Sequence, residues 1–267
     1  MIGIARIAPF AIWILCLPVA AAAQHQHGSE TLGKVHFETT CKPEVAATFD
    51  RAVALLHSFE FRYALDGFNA VLQTDPSCAM ANWGIALSNW GNPFAGLKSP
   101  AVLEPGRAAS QKAQTTGSPS AREKAYINAV AELFRDFEKA PQRARTLAYE
   151  QAMEELSAGF PADTEARIFY ALAVTQNALP TDKTYANQLK ATAILEPLFK
   201  QYPDHPGLAH YIIHAYDQPA LAPRAARCGQ ALREDRARCA ARPAHAIAHV
   251  HARRRVERFD RDEHRVG

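Results

Sequence analysis

Residues 49–76 read FDRAVALLHSFEFRYALDGFNAVLQTDP and predict two helices joined by a short turn. Apolar residues recur three or four positions apart in each half, which places them on one face of a helix. The inward positions are Phe49, Ala52, Val53 and Leu56 in the first helix and Ala64, Phe68 and Val71 in the second. Because several of them are small, the two helices are expected to cross closely.

The same order of elements returns later in the chain. Residues 78–90 (CAMANWGIALSNW) are helical in pattern and rich in small side chains. Two weaker pairs, each with a turn closed by proline, are residues 145–161 with 164–178 and residues 185–203 with 206–216. Strand-like alternation of Val, Ile and Thr is nearly missing. We therefore predict an all-α fold, an α-solenoid of stacked antiparallel helix pairs.

Two segments between these pairs have their own signals. Residues 120–137 predict a helix that begins with Ser120 as N-cap and Glu123 at the capping-box position. Residues 91–105 (GNPFAGLKSPAVLEP) form the longest irregular stretch. We expect this stretch to be a loop that caps a binding groove or contributes to it.

The composition excludes several classes of protein. The chain has 267 residues, of which 48% are hydrophobic and 21% charged, and its net charge is +3. These values are typical of a globular protein and too apolar for a wholly disordered one. Only the first run of residues is apolar enough to approach a membrane span, so a polytopic membrane protein is excluded.

The N-terminus has the pattern of an export signal. Residues 7–19 (IAPFAIWILCLPV) are apolar, and Ala21, Ala22 and Ala23 offer the small residues of a cleavage site before the polar Gln24. We predict a signal peptide at residues 1–23, an extended segment at residues 24–43, and a periplasmic or secreted protein with no membrane span after cleavage. An uncleaved anchor is the alternative. His25 and His27 are either weak copper ligands or part of a flexible mature N-terminus.

Four segments make the sequence resemble the secreted bacterial tetratricopeptide-repeat (TPR) proteins, a group of largely uncharacterised function. They are residues 35–41 (VHFETTC), 49–59 (FDRAVALLHSF), 75–86 (DPSCAMANWGIA) and 205–217 (HPGLAHYIIHAYD). The resemblance implies a TPR-like helical repeat domain, which we place at residues 44–217, and supplies no established reaction.

The last part of the chain differs in character. Residues 221–267 contain 12 Arg and no Lys, against 6 acidic residues, and apolar periodicity fails there. If the codons of residues 244–261 are read one nucleotide later, the genetic code permits a helix with a second His-x-x-x-His motif. That motif would add two nitrogen ligands. We interpret residues 218–267 as an aberrant basic tail produced by a frameshift. A solvated tail and a nucleic-acid-binding arm are the alternatives, but interleaved aromatics are lacking and no nucleic-acid partner is expected.

Two cysteines are candidates for a disulfide. Cys41 precedes the first helix of one pair, and Cys78 opens the first helix of the next. The first helices of adjacent repeats run parallel, so their N-terminal ends are expected to be neighbours. In an exported protein, we predict a bond between Cys41 and Cys78. Two small buried thiols are the alternative.

A histidine pair is the candidate metal site. His210 and His214 lie four residues apart and share one helical face, and Asp217 follows one turn later. Two imidazoles at this spacing can ligate one metal ion. These three residues predict a Zn or Cu site, while packing or partner contact is the alternative. The Glu of a zinc protease is missing, since Tyr211 stands in its place; no other cofactor is expected.

Catalytic motifs are not found: the chain has no G-x-S-x-G, no phosphate-binding glycine loop and no C-x-x-C. We therefore expect a non-enzymatic scaffold that binds a peptide or protein partner in a concave helical groove. The candidate partner-binding residues are Asn82, Asn89, Trp90 and His57. Trp83 and Trp90 share a face and are expected to pack between repeats; a carbohydrate or peptide platform is the alternative. The rival hypothesis is a metal-binding protein or metal-dependent enzyme.

Overall fold

The computed structural model describes residues 32–224, which contain nine α-helices, one short 3-10 helix (Pro43–Val45) and no strand. The helices are α1 (Ala46–His57), α2 (Phe61–Thr74), α3 (Ala79–Trp90), α4 (Pro100–Thr115), α5 (Ala121–Glu132), α6 (Gln142–Gly159), α7 (Thr164–Gln176), α8 (Ala186–Gln201) and α9 (Pro206–Tyr216). The predicted all-α fold of paired helices is confirmed. No helix in the described part is both long and apolar enough to cross a membrane.

The apolar faces predicted for α1 and α2 are buried. All seven inward positions named above are in the core, and Phe68 and Phe49 meet edge to face with their ring centroids 5.4 Å apart. Gly84 of α3 lies against the ring of Phe68, because a Cβ there would come within 2.4 Å of it. Full burial of one such aromatic contributes about 1.5–3 kcal/mol.

The helices form two layers. Each helix packs against the next one in the chain, and the odd-numbered helices also contact one another: α1 with α3 and α9, α3 with α5, and α7 with α9. Phe169 of α7 stacks on His57 of α1 at 4.6 Å and meets Trp83 of α3 at 5.5 Å. The inner faces of the odd-numbered helices therefore pack together. The concave groove expected along these faces is filled by their own side chains.

The helix ends differ in part from the expectations. The capping box of Ser120 and Glu123 is present at the start of α5. The predicted loop at residues 91–105 is shorter, because α4 begins at Pro100 and contains Pro105. Proline fits the first turn of a helix, where its missing N–H has no partner to lose, whereas Pro105 removes one backbone hydrogen bond. Proline content alone made this helix look like a loop.

Residues 32–42 cross the N-terminal ends of the odd-numbered helices without forming a helix. Phe37 inserts its ring between Phe49, Trp83 and Tyr126 at centroid distances of 5.0–5.6 Å. The backbone N–H of Thr40 donates to Glu123 Oε1 at 2.8 Å. This part of the predicted extended segment is therefore fixed to the helical body.

A disulfide joins Cys41 to Cys78, the pairing preferred from the sequence. It ties the extended segment to the start of α3. Beside it, the backbone N–H of Lys42 donates to the buried Asp75 carboxylate at 2.9 Å. The covalent bond and the hydrogen bond therefore both fix the extended segment to the residues at the start of α3.

Several predictions lie outside the described residues. They include the signal peptide, His25 and His27, and the tail beyond residue 224 with its frameshift interpretation. The described chain leaves α9 through a turn, buries Leu221 against the core and is helical again at residues 222–224.

Candidate functional site

A buried hydrogen-bond cluster links α1, α7 and α9. Glu165 accepts from both neighbouring imidazoles, with His57 Nε2 2.8 Å from its Oε2 and His205 Nε2 2.8 Å from its Oε1. His57 Nδ1 is 2.9 Å from the hydroxyl of Tyr211. Glu165 lies in the first turn of α7, and His205 is the N-cap of α9. The cluster therefore joins three helices that are distant in sequence.

The protonation states in this cluster follow from burial and hydrogen bonding. Burial lowers the pKa of His57, an effect that exceeds the opposing influence of Glu165. Burial alone would raise the pKa of Glu165, but His57 and His205 outweigh it and hold that pKa at about 2. We therefore assign a neutral His57 with its proton on Nε2, facing an ionised Glu165. Its Nδ1 then accepts from the Tyr211 hydroxyl.

The cluster is sealed from solvent. His57, Glu165 and His205 are 0%, 4% and 5% exposed. Gly207 closes one side, because a Cβ there would lie 2.6 Å from His57 Nδ1. The three residues offer donor atoms within 4.8 Å of one another, as a metal site requires. However, both Nε2 atoms already have a carboxylate oxygen as partner, as in a structural hydrogen-bond centre, and His205 Nδ1 is the one ring nitrogen of the two histidines that is buried without a hydrogen-bond partner.

The predicted histidine pair lies close to this cluster on α9. His210 Nε2 and His214 Nε2 face each other at 3.1 Å. His210 Nδ1 is 2.7 Å from the backbone carbonyl oxygen of His57, to which it donates. Asp217, the third predicted ligand, is the exposed C-cap residue of the same helix. The structure thus brings the two imidazoles together through helix geometry, and both are half-buried.

Two phenylalanines enclose the histidine pair. The Phe59 ring meets His210 edge to face at 4.3 Å and stacks on His214 at 5.5 Å, and Phe94 lies 4.7 Å from His214. Phe59 has a φ of +60°, in the left-handed region that bulky residues rarely adopt. The turn between α1 and α2 therefore carries backbone strain while it places this ring against the imidazoles.

Burial and electrostatics keep His214 neutral. Its pKa is lowered to about 4, mainly because the ring is largely removed from water and secondarily because His210 is adjacent. At neutral pH the imidazole therefore carries one proton and one lone pair, the form that hydrogen-bonds to a neighbouring ring or coordinates a cation.

A cavity of about 490 Å³ opens at the end of the fold where the odd-numbered helices terminate. Its walls come from the loop after α3, the loop between α7 and α8, the C-terminal ends of α7 and α9, and the N-terminal turns of α6 and α8. Polar side chains on these walls include Gln142, Arg143, Thr146, Asn177, Asp182 and Gln188. His214 is on the same wall, so the histidine pair adjoins the cavity.

Hydrogen bonds hold the cavity walls in place. Gln142 donates to the Gly96 carbonyl at 2.8 Å and accepts from the Lys98 backbone at 2.9 Å, which fixes the loop after α3 to α6. Thr146 donates to Asn177 at 2.7 Å, which fixes α6 to the end of α7. The cavity is therefore preformed.

Burial corrects the expectation that four residues named from the sequence contact a partner. Asn82, Trp90 and His57 are 4%, 3% and 0% exposed, so none of them meets a partner in this fold. Asn89 is half-buried and donates to the Ile85 carbonyl at 2.8 Å. The physical reason for the three α3 residues is the packing of that helix, which is covered by α1, α2, α4 and α5, whereas His57 is covered by Phe169 and Tyr211.

The two tryptophans of α3 belong to the core. Trp83 is 1% exposed and contacts the rings of Phe37 and Tyr126. Trp90 meets Phe134 edge to face, and Lys98 lies over its ring at 4.9 Å. Their packing role is therefore the observed one, and a carbohydrate or peptide platform does not fit their burial.

Neither a protein-family model nor a curated protein matches the chain. The TPR-like resemblance therefore stays a prediction from the repeated helix pairs. Sequence reasoning missed Glu165, His205 and Phe59, whose roles depend on contacts between distant segments. The only local signal was aromatic density around residues 59–61 (FEF), which does not reveal a left-handed turn.

Proposed function

We propose that this chain is an exported, TPR-like binding protein that holds a short peptide segment of a partner in the cavity at the ends of α7 and α9. The observation that carries the proposal is the preformed cavity of about 490 Å³, since ligand pockets commonly measure about 300–1,000 Å³. The binding surface differs from the inner groove expected for repeats, because that groove is filled.

The side chains around the cavity suit peptide groups. Gln176 and Gln218 are half-buried on these walls and supply amides that both donate and accept hydrogen bonds, as a peptide backbone does. Arg143 and Asp182 add one charge of each sign. A polar peptide without a large net charge fits this wall better than a strongly anionic or cationic ligand.

The rim of the cavity is apolar and exposed. Leu97 is 90% exposed and Phe94 is 37% exposed, and both lie on the loop that hydrogen bonds fix to α6. An apolar side chain held in place on an ordered loop is suited to contact an apolar side chain of a partner. The rim therefore favours a peptide with at least one apolar residue beside its polar groups.

The disulfide supports an exported protein. Bonds such as that between Cys41 and Cys78 persist in oxidising compartments and are rare in the cytosol. The apolar N-terminal segment agrees with this assignment.

A phage-displayed library of random dodecapeptides tests the proposal. We expect the full chain to enrich a consensus peptide that binds one to one by calorimetry and weakens at least about tenfold with Leu97→Ser or Gln176→Ala, both of which line the cavity. Tyr202→Ser is the matched control, because this 48%-exposed aromatic lies at the opposite end of α8. Enrichment of no consensus, or equal weakening by the control, contradicts the proposal.

A further inference from the structure

The histidine pair of α9 has the geometry of two ligands of one metal ion. Its two Nε2 atoms are 3.1 Å apart. With metal–nitrogen bonds of about 2.0–2.1 Å, that separation corresponds to an angle of about 95–102° at the metal, between octahedral and tetrahedral values. A hydrogen bond between two neutral imidazoles has the same separation. The surroundings of the pair therefore decide between a metal site and a hydrogen bond alone.

The first feature of the surroundings is the partner of His210. Its Nδ1–H donates to the His57 carbonyl oxygen at 2.7 Å, which requires the proton on Nδ1 and leaves the lone pair of the neutral ring on Nε2. Histidines that ligate metals commonly donate their other ring N–H to a backbone carbonyl or a carboxylate in this way. The ring is thus oriented with its ligating nitrogen toward His214.

The second feature is the position of the pair in an apolar shell at the edge of the cavity. The ring centroids of Phe59 and Phe94 lie 4.3–5.5 Å from those of the two imidazoles. His214 and Phe94 also form part of the cavity wall. Two protein nitrogens and an adjoining cavity leave coordination positions open to water or to a ligand atom, as catalytic and ligand-binding metal sites do.

We propose that His210 and His214 bind one divalent transition-metal ion whose open coordination positions face the cavity. On binding, the proton of His214 Nε2 moves through water to its Nδ1, so both rings stay neutral and both Nε2 lone pairs coordinate the ion. The proposal goes beyond peptide binding, because the ion occupies the pair whether or not a peptide fills the cavity.

Zinc titration of the full chain tests the site. We expect calorimetry at pH 7.5 to show one equivalent of Zn²⁺ that His214→Phe removes, while His25→Ala/His27→Ala keeps it. The Phe variant retains an aromatic ring against Phe59 and has no nitrogen ligand. Circular dichroism reports whether each variant is folded.

A second measurement uses the unchanged protein. Long-range ¹⁵N–¹H spectra are expected to show His210 protonated at Nδ1 without metal, and both Nε2 resonances are expected to shift with one equivalent of Zn²⁺. Zinc binding that survives in folded His214→Phe, or Nε2 resonances that do not respond, overturns the metal site. Loss of the Zn²⁺ equivalent with retained peptide affinity supports the site and separates it from the proposed function.

Discussion

Replacing Glu165 with glutamine is expected to destabilise the fold strongly, although the two side chains have nearly the same shape. Glu165 is 4% exposed and accepts hydrogen bonds at 2.8 Å from both His57 and His205. Glutamine has nearly the same shape, but only one of its two terminal atoms accepts hydrogen bonds. One imidazole N–H would therefore face an amide N–H in a sealed site.

The magnitude follows from the cost of the unpaired donor. A buried donor left without a partner costs about 1–3 kcal/mol, and loss of the charge weakens the remaining bond as well. The pKa of Glu165, held at about 2, has the direction expected when the ionised form stabilises the fold. Because both effects act in the same direction, we expect a loss near the upper end of that range, about 3 kcal/mol.

The direction of this pKa shift determines how the stability contributed by Glu165 changes with pH. Because the folded pKa of Glu165 lies below its unfolded value, the stabilisation is complete above pH 4.5 and is lost as the pH falls toward 2. The difference between the wild type and Glu165→Gln is therefore expected to shrink over that interval. Urea unfolding followed by circular dichroism measures it, and an m-value of about 2 kcal/mol/M predicts a midpoint lower by about 1.5 M at pH 7.

Glu155→Gln is the matched control, because this glutamate is exposed on α6. It is expected to change stability by less than about 0.5 kcal/mol. Equal midpoints for the two variants at pH 7, or a difference between the wild type and Glu165→Gln that does not narrow in acid, would refute the assigned charge of Glu165.

Two further predictions concern covalent and steric constraints. The double variant Cys41→Ser/Cys78→Ser is expected to lose about 3–4 kcal/mol of stability, measured by urea unfolding against the oxidised wild type. The reduced wild type should be as unstable as this variant. A variant as stable as the oxidised wild type contradicts the estimate. Gly207→Ala places a methyl group 2.6 Å from His57 Nδ1 and is expected to lower stability by about 1–3 kcal/mol. Gly159→Ala is the control, because its methyl group meets nothing within 4 Å. Equal melting temperatures of the two variants contradict the close contact.

Local periodicity was sufficient to predict most helices. The inward residues of α1 and α2 and the capping box of α5 depend on interactions within a few positions, and the structure places them as expected. The start of α4 could not be predicted, because Pro100 and Pro105 resemble a loop until tertiary packing buries Leu103 between them. The filled groove was also missed, since no local pattern shows that α1 contacts α9.

The candidate site shows the same division between local and distant information. The spacing of His210 and His214 was visible in the sequence because helix geometry alone places them on one face. Glu165 is 108 residues from His57 and 40 from His205, and no motif connects them. Phe59 required a left-handed backbone that its residue type disfavours, so propensity argued against its position.

His57 connects the buried cluster to the histidine pair. Its side chain is held by Glu165 and Tyr211, and its backbone carbonyl orients His210. A residue expected to face a partner instead fixes, from within the core, the ring that we propose as a metal ligand. His57 is the last residue of α1 and Glu165 lies in the first turn of α7, so the packing of the odd-numbered helices against one another brings these residues together. The same packing fills the inner groove and leaves the helix ends, where the cavity lies, as the place for recognition.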